Sequence, residues 1–388
     1  MNTRLAIIGA SYLQLPLIKR AKEMGIETHV FAWEKGAVGK NEADYFYPIS
    51  IIETGRILEK CREINIDGIT SVASDLAIVT VNTIAGKLGL TGNSLRSTRL
   101  TTNKYLMRKR LRESGIKCPG FKKVTGIEGA DEVDLNYPVI VKPTDRSGSR
   151  GVTRVEKPDE LAPAIERALA ESHSNEAIIE EYIRGSEISV EMISWKGEHR
   201  FLVTTDKITS GPPYFVEMEH HEPASLNWQL EKDVINEVKN ALTSLNVECG
   251  ASHNEIIITP GNEFYIVEVG ARMGGDHIGS KLVSLSTGYD YLKGVIDVSL
   301  GKDPGYGSGI IRHSGIYYLT PSAGRVESIN DHSVWHNDII ESYVYVEKGD
   351  DILFPVKESQ HRSGYFIYQS DKRIFIDDPL KVIEIKTS

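Results

Sequence analysis

Two glutamates on either side of a tight turn carry the sharpest chemistry in this 388-residue chain. In Asn254-Glu255-Ile256-Ile257-Ile258-Thr259-Pro260-Gly261-Asn262-Glu263-Phe264-Tyr265-Ile266-Val267-Glu268-Val269, the Pro-Gly-Asn-Glu stretch has turn chemistry between two β-prone flanks. Pairing about its centre sets 259 opposite 264, 257 opposite 266, and Glu255 opposite Glu268. Directly opposed residues share a face with Cβ atoms about 5 Å apart. Two carboxylates so placed repel and are poorly solvated unless a cation joins them. Mg²⁺ suits that demand, since it takes a few carboxylate oxygens plus substrate phosphates. The bland alternative is an exposed edge hairpin, and a one-residue slip would send the two glutamates to opposite faces. Arg272 and Gly274-Gly275 follow at once, putting a guanidinium and a pliable loop beside the expected metal.

The second constellation is Tyr137-Pro138-Val139-Ile140-Val141-Lys142-Pro143-Thr144-Asp145-Arg146-Ser147-Gly148-Ser149-Arg150-Gly151-Val152. An apolar run delivers a lysine into a small, polar, glycine-bearing loop, which can bring free N–H groups close to phosphate. The commoner nucleotide patterns fail. Gly39-Lys40, Gly86-Lys87 and Gly301-Lys302 are followed by Asn41, Leu88 and Asp303, so none completes a P-loop. Neither His-Arg-Asp nor Asp-Phe-Gly occurs, which removes the protein-kinase pattern.

The elements that must position these residues read as alternating strands and helices. Residues 5–8, 28–31 and 68–72 read as strands, with helices at 15–24, 51–64 and 77–88. That is a parallel sheet faced by helices. Gly9 follows the first strand, but Ser11 and Gln14 stand where a dinucleotide fingerprint needs glycines, so this layer is expected to hold no dinucleotide. Thr101-Thr102-Asn103 supplies caps for a helix at 104–114. A smaller unit follows, with the strand ending at Lys142, a helix at 158–171, and strands at 177–181 and 187–195. A polar loop at 210–225, a helix at 231–245, the hairpin, a helix at 281–300 and a mostly β tail complete the chain.

Composition limits the function classes. Charged content of 26% and hydrophobic content of 40% fit a globular protein, and the formal net charge of −9 argues against nucleic-acid binding. Cys61, Cys118 and Cys249 are scattered, with no metal-binding or disulfide spacing, as in a reducing cytoplasm. No segment has the apolar length of a membrane span, and the run at 5–8 is too short for a leader. A cytoplasmic protein is expected, with a homodimer as the default assembly.

Lys104, the Lys142 strand and its loop, Glu180-Glu181-Tyr182-Ile183, Glu187, and Glu255 followed by Glu268-x-x-x-Arg272 occur in the order of the ATP-grasp family. Each motif is weak alone; the ordered set resembles that family over nearly the whole chain. The resemblance implies an α/β (α+β) fold: a Rossmann-like pre-ATP-grasp domain over 1–95 and a two-lobed ATP-grasp domain over 96–305. A mobile lid would span 121–186, and a C-terminal β-rich portion, 306–388, would complete the C-lobe. It implies ATP and Mg²⁺ (or Mn²⁺), with Lys104 and Lys142 on phosphate under a flap containing Arg146, Ser147, Gly148, Ser149 and Gly151. Glu180, Glu181 and Ile183 would meet adenine and Glu187 the ribose hydroxyls. Glu255 and Glu268 would ligate metal, Arg272 would steady the acyl-phosphate and its tetrahedral successor, and Lys207 would be a further phosphate contact. Many members carry Glu-x-Asn at the second metal position; here the third residue is Gly270, and water or Asn254 would fill the vacant coordination position.

The run Arg272-Met273-Gly274-Gly275-Asp276-His277 resembles the amino-acid ligase branch. The expected reaction therefore joins a small carboxylate to an amine through an acyl-phosphate. Candidate substrate contacts are Glu217, His220, His221, Gly274, Gly275, Asp276, Arg312 and His313. Plainer readings stand beside these. Lys104 alone is an ordinary helix lysine, Glu187, Ser189 and Glu191 alternate like a solvated strand face, and Arg312 is equally a structural salt-bridge partner. His220-His221-Glu222 lacks the His-Glu-x-x-His spacing for zinc. The rival functions are a carboxylase, carbamoyl-phosphate or purine-type ligase, and a nucleotide-binding regulator without turnover.

Overall fold

The computed structural model describes residues 3–388 except 133, 149 and 308–311. The chain opens with β1 (Arg4–Ile8), α1 (Leu15–Glu23), β2 (Glu27–Phe31), β3 (Tyr45–Tyr47), α2 (Thr54–Ile64), β4 (Gly68–Thr70) and α3 (Asp75–Leu88). Its four strands form a parallel sheet in the order β3-β2-β1-β4. The apolar run of β1 is buried on both faces, as crossover helices require: Leu5 and Ile7 enter one core, Ala6 and Ile8 the other.

Helix α4 (Leu95–Thr102) precedes α5 (Lys104–Glu113). Asn103 caps α5 as expected, accepting from the Leu106 N–H, but Thr101 and Thr102 close α4 instead of serving as caps. The sequence hid α4 because its buried face is Ser97, Thr98 and Thr101, which give no apolar period.

Next come β5 (Phe121–Val124), β6 (Val139–Pro143), β7 (Thr153–Val155), α6 (Leu161–Glu171) and β8 (Ala177–Glu181). These strands make an antiparallel sheet in the order β5-β8-β6-β7, covered by Leu161, Ala164, Ile165 and Ala168 of α6.

The remainder is built on β9 (Ser186–Trp195), β10 (Glu198–Thr209), β11 (Glu217–Glu222), α7 (Trp228–Ser244), β12 (Gly250–Ile258), β13 (Phe264–Gly270), α8 (Val283–Thr287), α9 (Tyr291–Ser299) and β14 (His313–Leu319). Five more strands follow: β15 (Gly324–Asp331), β16 (Ile339–Val344), β17 (Asp351–Ile352), β18 (Gly364–Ser370) and β19 (Ile383–Thr387). Eight strands form one sheet in the order β13-β12-β9-β10-β11-β14-β18-β16, and β17-β15-β19 form a small second sheet. Val234, Val238 and Leu242 of α7 pack on Ile188, Val190 and Ile256, while Tyr291 and Val295 of α9 share a core with Leu5, Leu17 and Ile193. The N-terminal layer and the large sheet are thereby joined.

Three expectations are corrected. Part of the 210–225 segment is the interior strand β11, whose composition, Glu-Met-Glu-His-His-Glu, masks its burial. The single helix expected over 281–300 is a π-turn (Ile278–Leu282) followed by α8 and α9, broken at Gly288 with φ +72°. The hairpin pairs Glu255 with Glu268, yet Ile256 opposes Ile266 and Ile258 opposes Phe264. A bulge at Val267 absorbs the extra residue, so the turn is one residue out of the expected register while the glutamate pair is not. Among the described residues, no helix is long and apolar enough to cross a membrane.

Candidate active site

The candidate side chains come largely from one period-two face of the large sheet. Glu187 and Glu191 of β9, Lys207 of β10, His220 and Glu222 of β11, His253 and Glu255 of β12, and Glu268 of β13 occupy alternating positions in paired strands. The plain reading of 187–191 as a solvated face fails: Ser189 and Glu191 are fully buried beneath the cleft. That cleft, about 1800 Å³, is lined by Lys104, Lys142, Glu187, Lys207, Glu255, Glu268 and Arg272, together with flap residues.

Lys207 is the electrostatic centre. Its Nζ lies 2.7 Å from Glu187 Oε1, 2.9 Å from Glu217 Oε1 and 2.5 Å from Glu255 Oε1. Burial alone would lower this lysine, but the three carboxylates outweigh it and hold the ammonium well above its usual range. Lys207 in turn offsets burial at Glu217 and Glu255 and holds both well below the carboxylate range. Glu187 is instead pushed upward, chiefly by burial and further by the Glu255 charge.

Lys104 ties the loop after β6 to the hairpin. Its Nζ lies 3.1 Å from Glu268 Oε2 and donates to the Arg146 carbonyl at 2.8 Å. It is almost buried, so the ordinary solvated-lysine reading does not hold. Lys142 Nζ sits 2.6 Å from Glu180 Oε2, while Arg108 Nε lies 2.7 Å from Glu180 Oε1. The Glu180 side chain is thus engaged by two cations. Glu181 and Ile183 line the cleft beside it.

Arg272 forms a forked contact with Asp75 at the start of α3, with Nε to Oδ1 at 2.9 Å and Nη2 to Oδ2 at 3.4 Å. A Cβ at Gly270 would lie 3.1 Å from Arg272 Cζ, so the missing asparagine is the space this guanidinium occupies. Asn254 does not replace it. Its side chain lies on the opposite face of β12 and donates to the Val190 carbonyl and Ser252 Oγ at 2.8 and 3.1 Å. The donor set fits a hard divalent ion, since Glu255 and Glu268 are paired across the hairpin and supply only oxygens.

Other expected residues divide. Ser147, Gly148 and Gly275 line the cleft, and Glu217 and Asp276 face it. Gly151 stands at the base of the flap with φ +69°, and Ser149 lies outside the described residues. Gly274 packs behind the site, where a Cβ would meet His253 Nδ1 at 2.8 Å. His221 is not a cleft residue, because strand alternation sends it to the far face, where Tyr368 Oη and Glu219 Oε2 bond it at 2.9 Å each. Arg312 pairs with the exposed Asp371 at 2.8 Å, and neither Arg312 nor the adjacent His313 lines the cleft.

Several residues escaped the sequence reading. His253 lies 2.5 Å from Glu191 and 3.3 Å from Glu255, and these two carboxylates overcome burial to raise it to about 9. Asp75, Arg108 and Arg362 were also missed, because their partners are 197, 72 and 86 positions away in the chain. No local spacing signals such pairs.

Comparison with known proteins agrees with this geometry. Residues 135–280 match the ATP-grasp domain family. A D-alanine–D-alanine ligase from Geobacter sulfurreducens is 27% identical over 47% of this chain and 59% of its own length. An alanine–anticapsin ligase from Bacillus subtilis is 24% identical over 72% of this chain and 66% of its own. The chain thus spans less than two thirds of the length of these curated relatives. Among solved structures, an L-amino acid ligase from Bacillus licheniformis superposes with a TM-score of 0.82 at 24% identity, covering 96% of this chain and 94% of that one. A phosphoribosylglycinamide synthetase from Anaerococcus prevotii gives 0.80 at 23% identity, covering both chains fully. At these identities the superpositions establish the fold.

Proposed function

We propose, on the premise that this chain carries an ATP-grasp domain with the multidomain fold of that family, that it is an ATP-dependent carboxylate–amine ligase. Its acid substrate would be an amino acid or a similar small acid. The observation that carries the reading is Lys104, whose ammonium contacts both the Glu268 carboxylate and the Arg146 carbonyl. One cation thereby links the proposed flap to the proposed metal hairpin.

Glu255 and Glu268 would hold Mg²⁺ or Mn²⁺, which when bound supplies charge neutralisation at the transferring phosphoryl group. Lys104 and Lys142 would hold ATP phosphates, with Lys207 turning from its carboxylates towards them. Positioning and electrostatics of this kind account for most catalysis of phosphoryl transfer. The acid's carboxylate oxygen attacks the γ-phosphorus and ADP leaves. An amine then attacks the acyl carbon, and phosphate departs. Arg272, held by Asp75, would stabilise the oxyanion of that second step. Closure of residues 146–151 over the cleft would keep water from the acyl-phosphate. Glu187 would face the ribose, and Glu181 and Ile183 the base.

The test is an ADP-release screen of acid–amine pairs with mass spectrometry of the product. An amide product with stoichiometric ADP supports the ligase. ADP release that depends on bicarbonate or a ribosylamine supports the carboxylase or purine-type alternative, and ATP binding without turnover across the panel supports a regulator.

A further inference from the structure

Glu255 is held by one of its two oxygens. Lys207 Nζ lies 2.5 Å from Oε1, and His253 Nε2 lies 3.3 Å from the same atom. Among the described residues, Oε2 has no hydrogen bond and no ion pair. The two oxygens of this carboxylate are therefore not equivalent: one is occupied by the protein and the other is left over.

The His253 ring leads away from the cleft to a second carboxylate. Its Nδ1 lies 2.5 Å from Glu191 Oε1, which also accepts from Ser189 Oγ at 3.0 Å. Both ring nitrogens meet carboxylate oxygens, so the ring donates twice and carries a positive charge. Glu191 is fully buried, its Oε2 finds no hydrogen-bond partner, and His253 is the only cation in contact with it among the described residues. The ring is also wedged in place, because a Cβ at Gly274 would stand 2.8 Å from Nδ1 and 3.3 Å from Glu191 Oε2.

Stability does not call for this arrangement. His253 already sits opposite Glu191, and Glu255 opposite Ser189, in the backbone ladder of β9 and β12. An apolar pair would fill the same position without the cost of burying charge. What the charged pair adds is a hold on Glu255, where the chain of contacts ends at the cleft.

We propose that Glu191 and His253 are positioning residues that occupy Glu255 Oε1 and leave Oε2 alone to meet the divalent ion, so that the site selects Mg²⁺ over larger ions such as Ca²⁺. This rests on the metal assignment in the reading above. Mg²⁺ demands near-octahedral geometry, which single-oxygen ligands satisfy, whereas Ca²⁺ accepts a carboxylate through both oxygens in a flexible shell. Lys207 would turn towards phosphate when ATP binds. The ring cannot follow, so Oε1 stays occupied after Lys207 has left it.

Calorimetric titration of the protein with a non-hydrolysable ATP analogue, in excess Mg²⁺, in excess Ca²⁺ and in EDTA, tests this. Glu191→Gln keeps the shape of the side chain and removes the charge that anchors the ring. His253→Gln combined with Glu191→Gln removes the ring without leaving a buried charge unpaired. In the double variant, affinity in Mg²⁺ should fall by about tenfold or more, while affinity in Ca²⁺ changes by less than about threefold. Glu191→Gln should move the ratio in the same direction, by less. Affinity in EDTA should stay at the wild-type value in both. An unchanged Mg²⁺-to-Ca²⁺ ratio in both variants, an equal loss in all three conditions, or failure of both variants to fold assigns the pair to stability and overturns the proposal. Glu255→Gln tells this failure from that of the reading beneath it. If Glu255→Gln binds the analogue in Mg²⁺ as tightly as wild type, the metal assignment itself falls. If it loses the gain that Mg²⁺ gives while the double variant keeps the wild-type ratio, only the positioning role falls.

Discussion

Arg272 Nε lies 2.9 Å from Asp75 Oδ1, joining the loop after the Glu255–Glu268 hairpin to the first turn of a helix in the N-terminal layer. Burial opposes the charge on Asp75, yet Arg272 prevails and holds the acid below its usual range. The N-terminal layer thus sets the direction of the proposed oxyanion group. Asp75→Asn should lower kcat about 10- to 100-fold, because small displacements of a positioned group are costly. Nucleotide affinity should stay near wild type. Gly270→Ala, which crowds the same guanidinium, should act in the same direction. Steady-state ADP release with a parallel nucleotide titration checks both, and unchanged kcat would remove Arg272 from the reaction.

Replacing either hairpin carboxylate should show itself in metal dependence. Glu255→Gln and Glu268→Gln should each raise the Mg²⁺ concentration needed for half-maximal ADP release, by about tenfold or more. Metal titrations of the two variants would give the answer. A Glu268→Gln enzyme with wild-type metal dependence would sink the metal assignment.

Glu222 offers a test by pH. It is fully buried and bonded to Thr205 Oγ1 and Ser286 Oγ, and burial, reinforced by the Glu191 charge, holds it well above the carboxylate range. Such a raised folded value gives stability that is complete below the unfolded value near 4.3. That stability is lost as pH rises through the folded value, with a slope approaching about 1.4 kcal/mol per pH unit. Glu222→Gln should lack this part of the slope and unfold at a higher temperature than wild type at pH 8. Thermal melts across pH decide it; parallel wild-type and variant curves would refute it.

Arg108 is fully buried against Glu180, whose carboxyl it holds, together with Lys142, below the usual range despite burial. Arg108→Leu should destabilise the protein by about 3–5 kcal/mol, since it strips one of two cations from a buried carboxylate. Arg108→Leu combined with Glu180→Leu should recover part of the loss. Urea unfolding of the single and double variants measures this.

The buried thiols should be inert. Burial pushes Cys61 and Cys249 up to about 12, leaving almost no thiolate at neutral pH. Labelling by a disulfide reagent at pH 7.5 should be slow at both and should accelerate on unfolding; rapid labelling of the native protein would contradict their placement.

What the sequence determined by itself was local. The apolar run at 5–8, the Pro-Gly-Asn-Glu turn and the lysine leading into its glycine loop are short-range patterns with short-range causes, and β1, the hairpin and β6 follow from them. The facing of Glu255 and Glu268 was legible too, although the turn register behind it was not, because a bulge at Val267 has no compositional mark. Tertiary structure alone decided whether a polar strand face was solvent or site. By alternation alone Glu187, Ser189 and Glu191 read as one polar strand face, and it was β10, β11 and β12 that brought Lys207, His220 and His253 against it. It also decided which cation meets which acid. Asp75, Arg108 and Arg362 act on partners far along the chain, and charge pairing at that range depends on how the sheets stack, which no spacing of residues encodes.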